Sequence, residues 1–364
     1  MRAILVTPPG AGARVADVPI PARRRGQVRV GVVEVGVCGT DRDIASGAYG
    51  RAPEGRPDLI LGHENLGRVL ESEAGPGVPA EGDWVVATVR RGCGRCPCCA
   101  VGRSDACESG AFTERGISGA DGYWAEQYVE DPTNLVKIPP EIRGTAVLLE
   151  PLSVVEKAIR VGLADRYARR PPNAPEHPLR ALVAGSGAVG MLAALALRIR
   201  GASVTVIDRH PGDTPAAQRL ATAGATHRVW EDLAGAGPSM VFDLIVEATG
   251  SAVLAFDLGD RLAPNGCLVL TGIPPASEAP APERVAAWAR GLVLANRAVV
   301  GSVNASHVDF EAGVADLVAF DRRWSGLAAS LRTSVHPLSE APRVVAQRAP
   351  GEIKTVLSVA GPTG

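Results

Sequence analysis

Seven cysteines occur in this chain of 364 residues, and five of them fall between Cys93 and Cys107. Four, Cys93, Cys96, Cys99 and Cys107, stand in a C-x2-C-x2-C-x7-C array. Thiolates packed into so short a loop can close a tetrahedral zinc site. Such a metal folds a segment that has almost no apolar core of its own. An iron–sulfur cluster is the competing use of cysteine-rich spacing. Cys98 is spare, either an alternate ligand or a free thiol. A metal whose four positions are all filled by protein has none left for water or substrate, so this site is structural.

A second constellation is dispersed. Cys38-Gly39-Thr40-Asp41 follows a valine-rich stretch, Gly62-His63-Glu64 comes 25 residues later, and Glu150-Pro151 lies far downstream. One thiolate, one imidazole and one or two carboxylates make a catalytic zinc site with a position left open. Zinc there is a Lewis acid that stabilises an alkoxide at neutral pH and polarises a carbonyl in the reverse direction. Taken alone, Cys38 reads as a buried thiol and His63 as a core histidine. Their combination with the cysteine loop and a nucleotide fold carries the case.

Gly185-Ser186-Gly187-Ala188-Val189-Gly190 follows a short apolar run and opens a helix-compatible stretch. A lone G-x-G-x-x-G is weak, but between a strand and a helix it is a dinucleotide fingerprint. The glycines permit the tight turn and the approach of a pyrophosphate, which the helix N-terminus then receives. Asp208 lies 18 residues beyond Gly190, where a carboxylate accepts the adenosine ribose hydroxyls and repels a 2′-phosphate. NAD is the expected cofactor, and Arg209 keeps NADP open. Ala248, Thr249 and Gly272 close later strands, where the nicotinamide half is expected.

The elements around these residues divide in two, as the length suggests. Up to Glu141 the chain is strand- and turn-rich: Arg2 to Thr7, Val28 to Val37 with a bulge or bend near Val32, Asp83 to Thr88, and Trp124 to Val129. That pattern fits a partly open barrel. Thr145 to Leu163 reads as a helix, and Ala168 to Pro175 as a breaker-rich connector. Strands and helices then alternate: Ala181 to Ala184, Val189 to Arg200, Ser203 to Ile207, Phe242 to Glu247, Ser251 to Leu262, Cys267 to Thr271 and Ala298 to Val303. Alternation of this kind marks an α/β, doubly wound parallel sheet. Glu352 to Ser358 reads as a strand returning to the first domain. The expected division is 1–154 with 306–364, and 155–305.

Composition excludes other classes. With 46% hydrophobic and 21% charged residues the chain is globular, and a net charge of −1 argues against nucleic acid as a partner. The apolar start, Met1 to Thr7, is too short for a signal or a span, so a cytoplasmic location without membrane contact is expected.

The sequence resembles the zinc-dependent medium-chain dehydrogenase/reductase superfamily, and within it the glucose dehydrogenase branch. The likeness rests on Cys-Gly-Thr-Asp-Arg at 38–42, Leu-Gly-His-Glu at 61–64, Arg-Arg-Gly-Cys at 90–93, Glu-Pro-Leu-Ser at 150–153 and Gly-Glu-Ile-Lys at 351–354. It implies a GroES-like catalytic domain interrupted by a Rossmann domain, with the active site between them. It implies two zinc ions per chain. Cys38, His63, Glu64 and Glu150 are then the catalytic set, one glutamate entering or leaving the shell. Thr40 passes the substrate proton onward, by way of the nicotinamide ribose and then Asp43 or water.

Glu114, Asn304, Thr40 and Glu150 fall where the branch contacts its sugar, whereas Val89 and Leu294 replace an Asn and a His. Two lost hydrogen-bonding groups weaken binding of a fully hydroxylated sugar by about 1–3 kcal/mol each. The expected substrate is therefore a polyhydroxylated compound, a sugar, cyclitol or sugar-derived metabolite other than plain glucose. A ketone or enone reductase of a biosynthetic intermediate and a non-catalytic NAD-binding homologue are the competing readings. The resemblance also implies a homodimer or homotetramer, formed through the edge strand Ala298 to Val303.

Overall fold

The valines from Val28 onward build the ten-residue strand Val28–Val37. Val28, Val30, Val32, Val35 and Val37 all face one core cluster although their numbering changes parity. A register shift between Val32 and Glu34 against the neighbouring strand Asn65–Glu71 inserts the extra residue that makes this possible. The computed structural model describes every residue except 11, 172–176, 211–213, 236, 238–239, 275–281 and 360–364. It divides into two compact units, Met1–Ser153 with Asn304–Asp321 and Ala328–Gly364, and Val154–Val303 with Arg322–Leu327.

In the first unit the path of the main sheet runs Leu135–Lys137, Trp84–Ala87, Asn65–Glu71, Val28–Val37, Lys354–Ser358, Arg332–Pro337, and Gln127–Glu130 also pairs with Val28–Val37. The tail does return here. Lys354–Ser358 pairs antiparallel with Val28–Val37, setting Thr355 opposite Val37. The expected strand from Trp124 starts later, at Gln127. Trp124 is instead held by backbone bonds to Leu61 and Ile4 and by its indole N–H on the Gly36 carbonyl.

In the second unit six described strands run parallel in the order Thr226–Val229, Ser203–Asp208, Arg180–Ala184, Phe242–Glu247, Leu262–Leu270, Ala298–Gly301. Phe242–Glu247 is buried throughout, as a central strand covered on both faces must be. The helix Ala188–Ile199 is apolar on nearly all sides and buried from Gly190 to Leu197.

Other expected boundaries move as well. The first long helix is Leu149–Ala168, with Pro151 in its first turn, where a missing N–H is harmless. Ser251 caps the helix Ala252–Gly259, and Leu262 already belongs to the next strand. Pro264-Asn265-Gly266 hid that early start, and Asn265 takes a positive φ of 59° within the strand. Residues 172–175 of the expected connector lie outside the described residues. No helix among the described residues is long and apolar enough to cross a membrane.

Candidate functional site

Cys38 sits where the strand Val28–Val37 hands over to the helix Gly39–Ala45, at its N-cap. The Cys38 N–H donates to Asp41 Oδ2 at 2.8 Å, which fixes the turn. His63 and Glu64 precede the neighbouring strand Asn65–Glu71 and are buried. Chain topology thus brings one donor atom each of Cys38, His63 and Glu64 within 4.8 Å of one another.

Buried partners surround this trio. His63 Nδ1 faces Asp41 Oδ1 at 3.3 Å, which leaves Nε2 for a metal. Burial alone would lower the imidazole pKa, but Asp41, assisted by Cys38, raises it well above the usual value. Lys354 Nζ donates to both oxygens of Glu64, at 2.6 and 2.7 Å, and to the Val37 carbonyl at 3.3 Å. Burial opposes the ammonium, yet Glu64 and Cys38 hold its pKa above normal. A thiol, an imidazole and a carboxylate converging here form a donor set that fits zinc.

Glu150, near the start of the helix Leu149–Ala168, lies outside that trio. It is buried, and desolvation pushes its carboxyl up to about 7. Glu64 and Asp41 add to that push, and His63 and Lys354 oppose it. Thr40 and Asp43 ride the helix Gly39–Ala45, Thr40 half-buried and Asp43 exposed. Partial desolvation raises the Asp43 carboxyl pKa.

The ligand atoms of Cys93, Cys96, Cys99 and Cys107 also gather within 4.8 Å. Backbone N–H groups point at the sulfurs: Cys96 N lies 3.3 Å from Cys93 Sγ, and Cys99 N lies 3.5 Å from Cys96 Sγ. The Ser109 hydroxyl and the N–H groups of Arg95 and Cys96 pull the Cys93 thiol down to about 5. Cys98 is not in the set, and its thiol donates to Glu108 Oε1 at 3.3 Å.

Arg90 joins this loop to a polar pair. Its Nη1 donates to the Asp105 carbonyl at 2.8 Å, while Nε and Nη2 hold Glu114 Oε1 at 3.1 and 2.9 Å. Asn304 Nδ2 donates to the same oxygen at 2.9 Å. Glu114 and Asn304, expected sugar contacts 190 residues apart, are therefore buried neighbours. Val89 is buried beside Arg90, whereas Leu294 ends the helix Pro282–Leu294 with 70% of its surface exposed.

In the second unit Gly185 to Gly190 spans the turn from the strand Arg180–Ala184 into the helix Ala188–Ile199. A Cβ on Gly190 would lie 1.8 Å from the Gly185 carbonyl oxygen, so no larger residue allows this turn. Asp208 ends the adjacent strand Ser203–Asp208. Its Oδ2 accepts from the Ser186 N–H at 3.2 Å and from the Ser186 hydroxyl, and its Oδ1 accepts from Arg209 N and His210 N. Desolvation would raise its pKa, but these donors, the Ser186 hydroxyl foremost, lower it. Ala248 and Thr249 follow the strand Phe242–Glu247, and Gly272 follows Leu262–Leu270.

Asp41, Lys354 and Arg90 drew no role from the sequence, although each stands in a motif that marked the family. Asp41 carried a local signal, an acid three residues after a helix-capping position. Lys354 carried another, a lone lysine opening an apolar strand. What it pairs with, 290 residues away, is a product of topology.

Residues 24–140 match the alcohol dehydrogenase GroES-like domain, and residues 144–359 match the glucose dehydrogenase C-terminus. A glucose 1-dehydrogenase of Metallosphaera sedula is 39% identical over 361 residues, covering 98% of both chains. One from Thermoproteus tenax is 42% identical over 342 residues, covering 93% of this chain and 94% of the relative. The glucose dehydrogenase of Haloferax mediterranei, solved in complex with NADP, Zn and gluconolactone, superposes with a TM-score of 0.86. It is 32% identical, and the match covers 98% of this chain and 99% of that one. The chain belongs to the glucose dehydrogenase branch of the zinc-dependent medium-chain dehydrogenases and reductases, and is an NAD(P)-dependent oxidoreductase.

Proposed function

We propose that the chain transfers a hydride between NAD(P) and a secondary alcohol or ketone carbon of a sugar, cyclitol or sugar-derived metabolite. The observation that carries this reading is the buried convergence of Cys38, His63 and Glu64 within 4.8 Å. Zinc held by these residues supplies Lewis acidity that makes a hydroxyl easier to deprotonate. Lys354 already engages both oxygens of Glu64, which supports Glu150 as the carboxylate facing substrate. Thr40 relays the substrate proton, its hydroxyl taking up one proton as it gives up its own, and the proton passes on to Asp43, exposed on the same helix, or to water. The Glu114–Asn304 pair orients substrate hydroxyls. In this reading 1–154 and 306–364 handle substrate and metal, and 155–305 handle the cofactor.

The substrate differs from plain glucose because Val89 and Leu294 offer no hydrogen bond where the branch has an Asn and a His. The relatives named glucose 1-dehydrogenase support the wider sugar class. Asp208 favours NAD, since a 2′-phosphate would meet a carboxylate held by four donors. Two or four copies associate through the half-exposed edge strand Ala298–Gly301. The test is reduced-nicotinamide absorbance over sugars, cyclitols and alcohols, with NAD and with NADP, before and after chelation. Chelator-sensitive turnover of a polyol with NAD is expected. Glucose giving the highest kcat/KM would remove the substrate restriction, and chelator-resistant turnover would remove the zinc role.

A further inference from the structure

Glu247 is a buried carboxylate, 1% exposed, at the carboxyl end of the central strand Phe242–Glu247. Its Oε1 accepts from the Thr249 N–H at 2.6 Å, from the Thr249 hydroxyl, and from the Gly250 N–H at 3.0 Å. Its main-chain carbonyl accepts from Thr271 N at 2.9 Å, Gly272 N at 3.2 Å and the Thr271 hydroxyl at 2.6 Å. One residue thus ties together the loops that leave two adjacent strands. They pack without room to spare: a Cβ on Gly272 would lie 2.2 Å from Gly250 N and 2.9 Å from Glu247 Oε2. The glycine turn is in contact as well, since a Cβ on Gly185 would lie 3.2 Å from Thr249 Cγ2.

We propose that Glu247 is a positioning residue for the nicotinamide end of the cofactor, holding loops 248–250 and 271–272 in one fixed arrangement. The inference rests on the reading that a dinucleotide lies across the carboxyl ends of these strands. A turn cap alone does not call for a buried carboxylate, because a serine or asparagine oxygen serves it with less desolvation. Three donors on one oxygen suit a charged acceptor, whose bonds are shorter and stronger than those of an amide. No lysine, arginine or histidine among the described residues pairs with it. The carboxyl oxygen is therefore devoted to the loop that follows the strand, to its N–H groups and the Thr249 hydroxyl.

The test compares ligands that use different parts of the site. AMP fills the adenosine end near Asp208 and does not reach loops 248–250 or 271–272, whereas NADH needs both ends. In Glu247→Ala, calorimetry with intact holoenzyme is expected to show NADH affinity down about tenfold or more, with AMP affinity within about twofold. Glu247→Gln, which keeps one acceptor oxygen, is expected to recover most of the loss. Equal losses for NADH and AMP, or no loss of either, overturn the assignment. If Glu247→Ala does not fold, Thr249→Val removes one donor of the Glu247 carboxylate itself. It is expected to weaken NADH about threefold with AMP unchanged, and an absent split overturns the assignment again. A wild-type enzyme that binds neither ligand overturns the dinucleotide reading itself, a result separable from any outcome in the variants.

Discussion

The two cysteine-bearing clusters differ in how they are held. The four thiols of Cys93 to Cys107 come from one short loop, three of them half-buried, and their partners are N–H groups, the Ser109 hydroxyl and each other. Cys38, His63 and Glu64 come from a strand end and a loop, and buried side chains from further afield brace them: Asp41 against His63, Lys354 against Glu64. Where ligands lie close in the chain, the metal must do the folding. Where they are dispersed, the fold has already ordered the ligands and the metal is free for chemistry.

The largest expected effect is a double dissociation between the two. Cys99→Ser removes a ligand from the loop that lacks its own core, and structural zinc contributes about 10–16 kcal/mol in small zinc domains. Its melting temperature is expected to fall by about 10 °C or more, with kcat per folded molecule retained within about threefold. Cys38→Ser is expected to melt within about 3 °C of wild type while turnover falls about 10³-fold or more. Metal analysis should give about one zinc per chain in each variant. If both variants lose stability equally with activity intact, the division of labour between the clusters is wrong.

The same contrast explains what could be read in advance. The loop's donor set is visible as spacing, because neighbours in sequence are neighbours in space. The valine parity change from Val32 to Val35 is equally legible as a bulge or bend, and the register shift between Val32 and Glu34 makes it a bulge. The strand from Leu262 was not, because Pro264-Asn265-Gly266 imitates a turn and only its neighbours in the sheet override that preference. Nor were the partners of the dispersed site. Lys354 reaches Glu64 only because the tail strand pairs with Val28–Val37, a pairing that no local pattern specifies. Arg90 and Glu114 were each in view separately, but their bond follows from a short antiparallel pairing, Arg90 opposite Glu114.

The bracing of the dispersed site supplies the next effect in size. Lys354 and Glu64 are both nearly or wholly inaccessible to water, with side chains 3% and 0% exposed. Removing one member of such a pair strands the other charge, at about 3–5 kcal/mol. Lys354→Met is therefore expected to destabilise strongly in denaturant unfolding. Adding Glu64→Gln is expected to return most of that loss, because the stranded charge is then gone. A double variant no more stable than Lys354→Met would mean that the lysine acts through packing rather than through its charge.

The smallest effect sharpens the comparison, because it concerns a residue that ties the cysteine loop to Glu114, a proposed substrate contact. Arg90 donates to the Asp105 carbonyl inside the structural loop, between Cys99 and Cys107, and to the carboxylate of Glu114. Phe112 stacks beneath its guanidinium, 3.9 Å from ring centroid to Cζ. A planar fork reaches the carbonyl and the carboxylate from separate nitrogens in a fixed plane, a spread that the single nitrogen of an ammonium lacks. Arg90→Lys keeps the charge and loses the fork, which weakens the orientation of Glu114 by about 1–2 kcal/mol. The KM for the polyol is then expected to rise about 5- to 30-fold, with the KM for NAD and the content of both zincs unchanged. If the structural loop only stabilises, Arg90→Lys shifts the melting temperature and leaves the polyol KM where it was. If the loop also aims Glu114 at substrate, the KM moves first, and the two clusters are less independent than their separate foldings suggest.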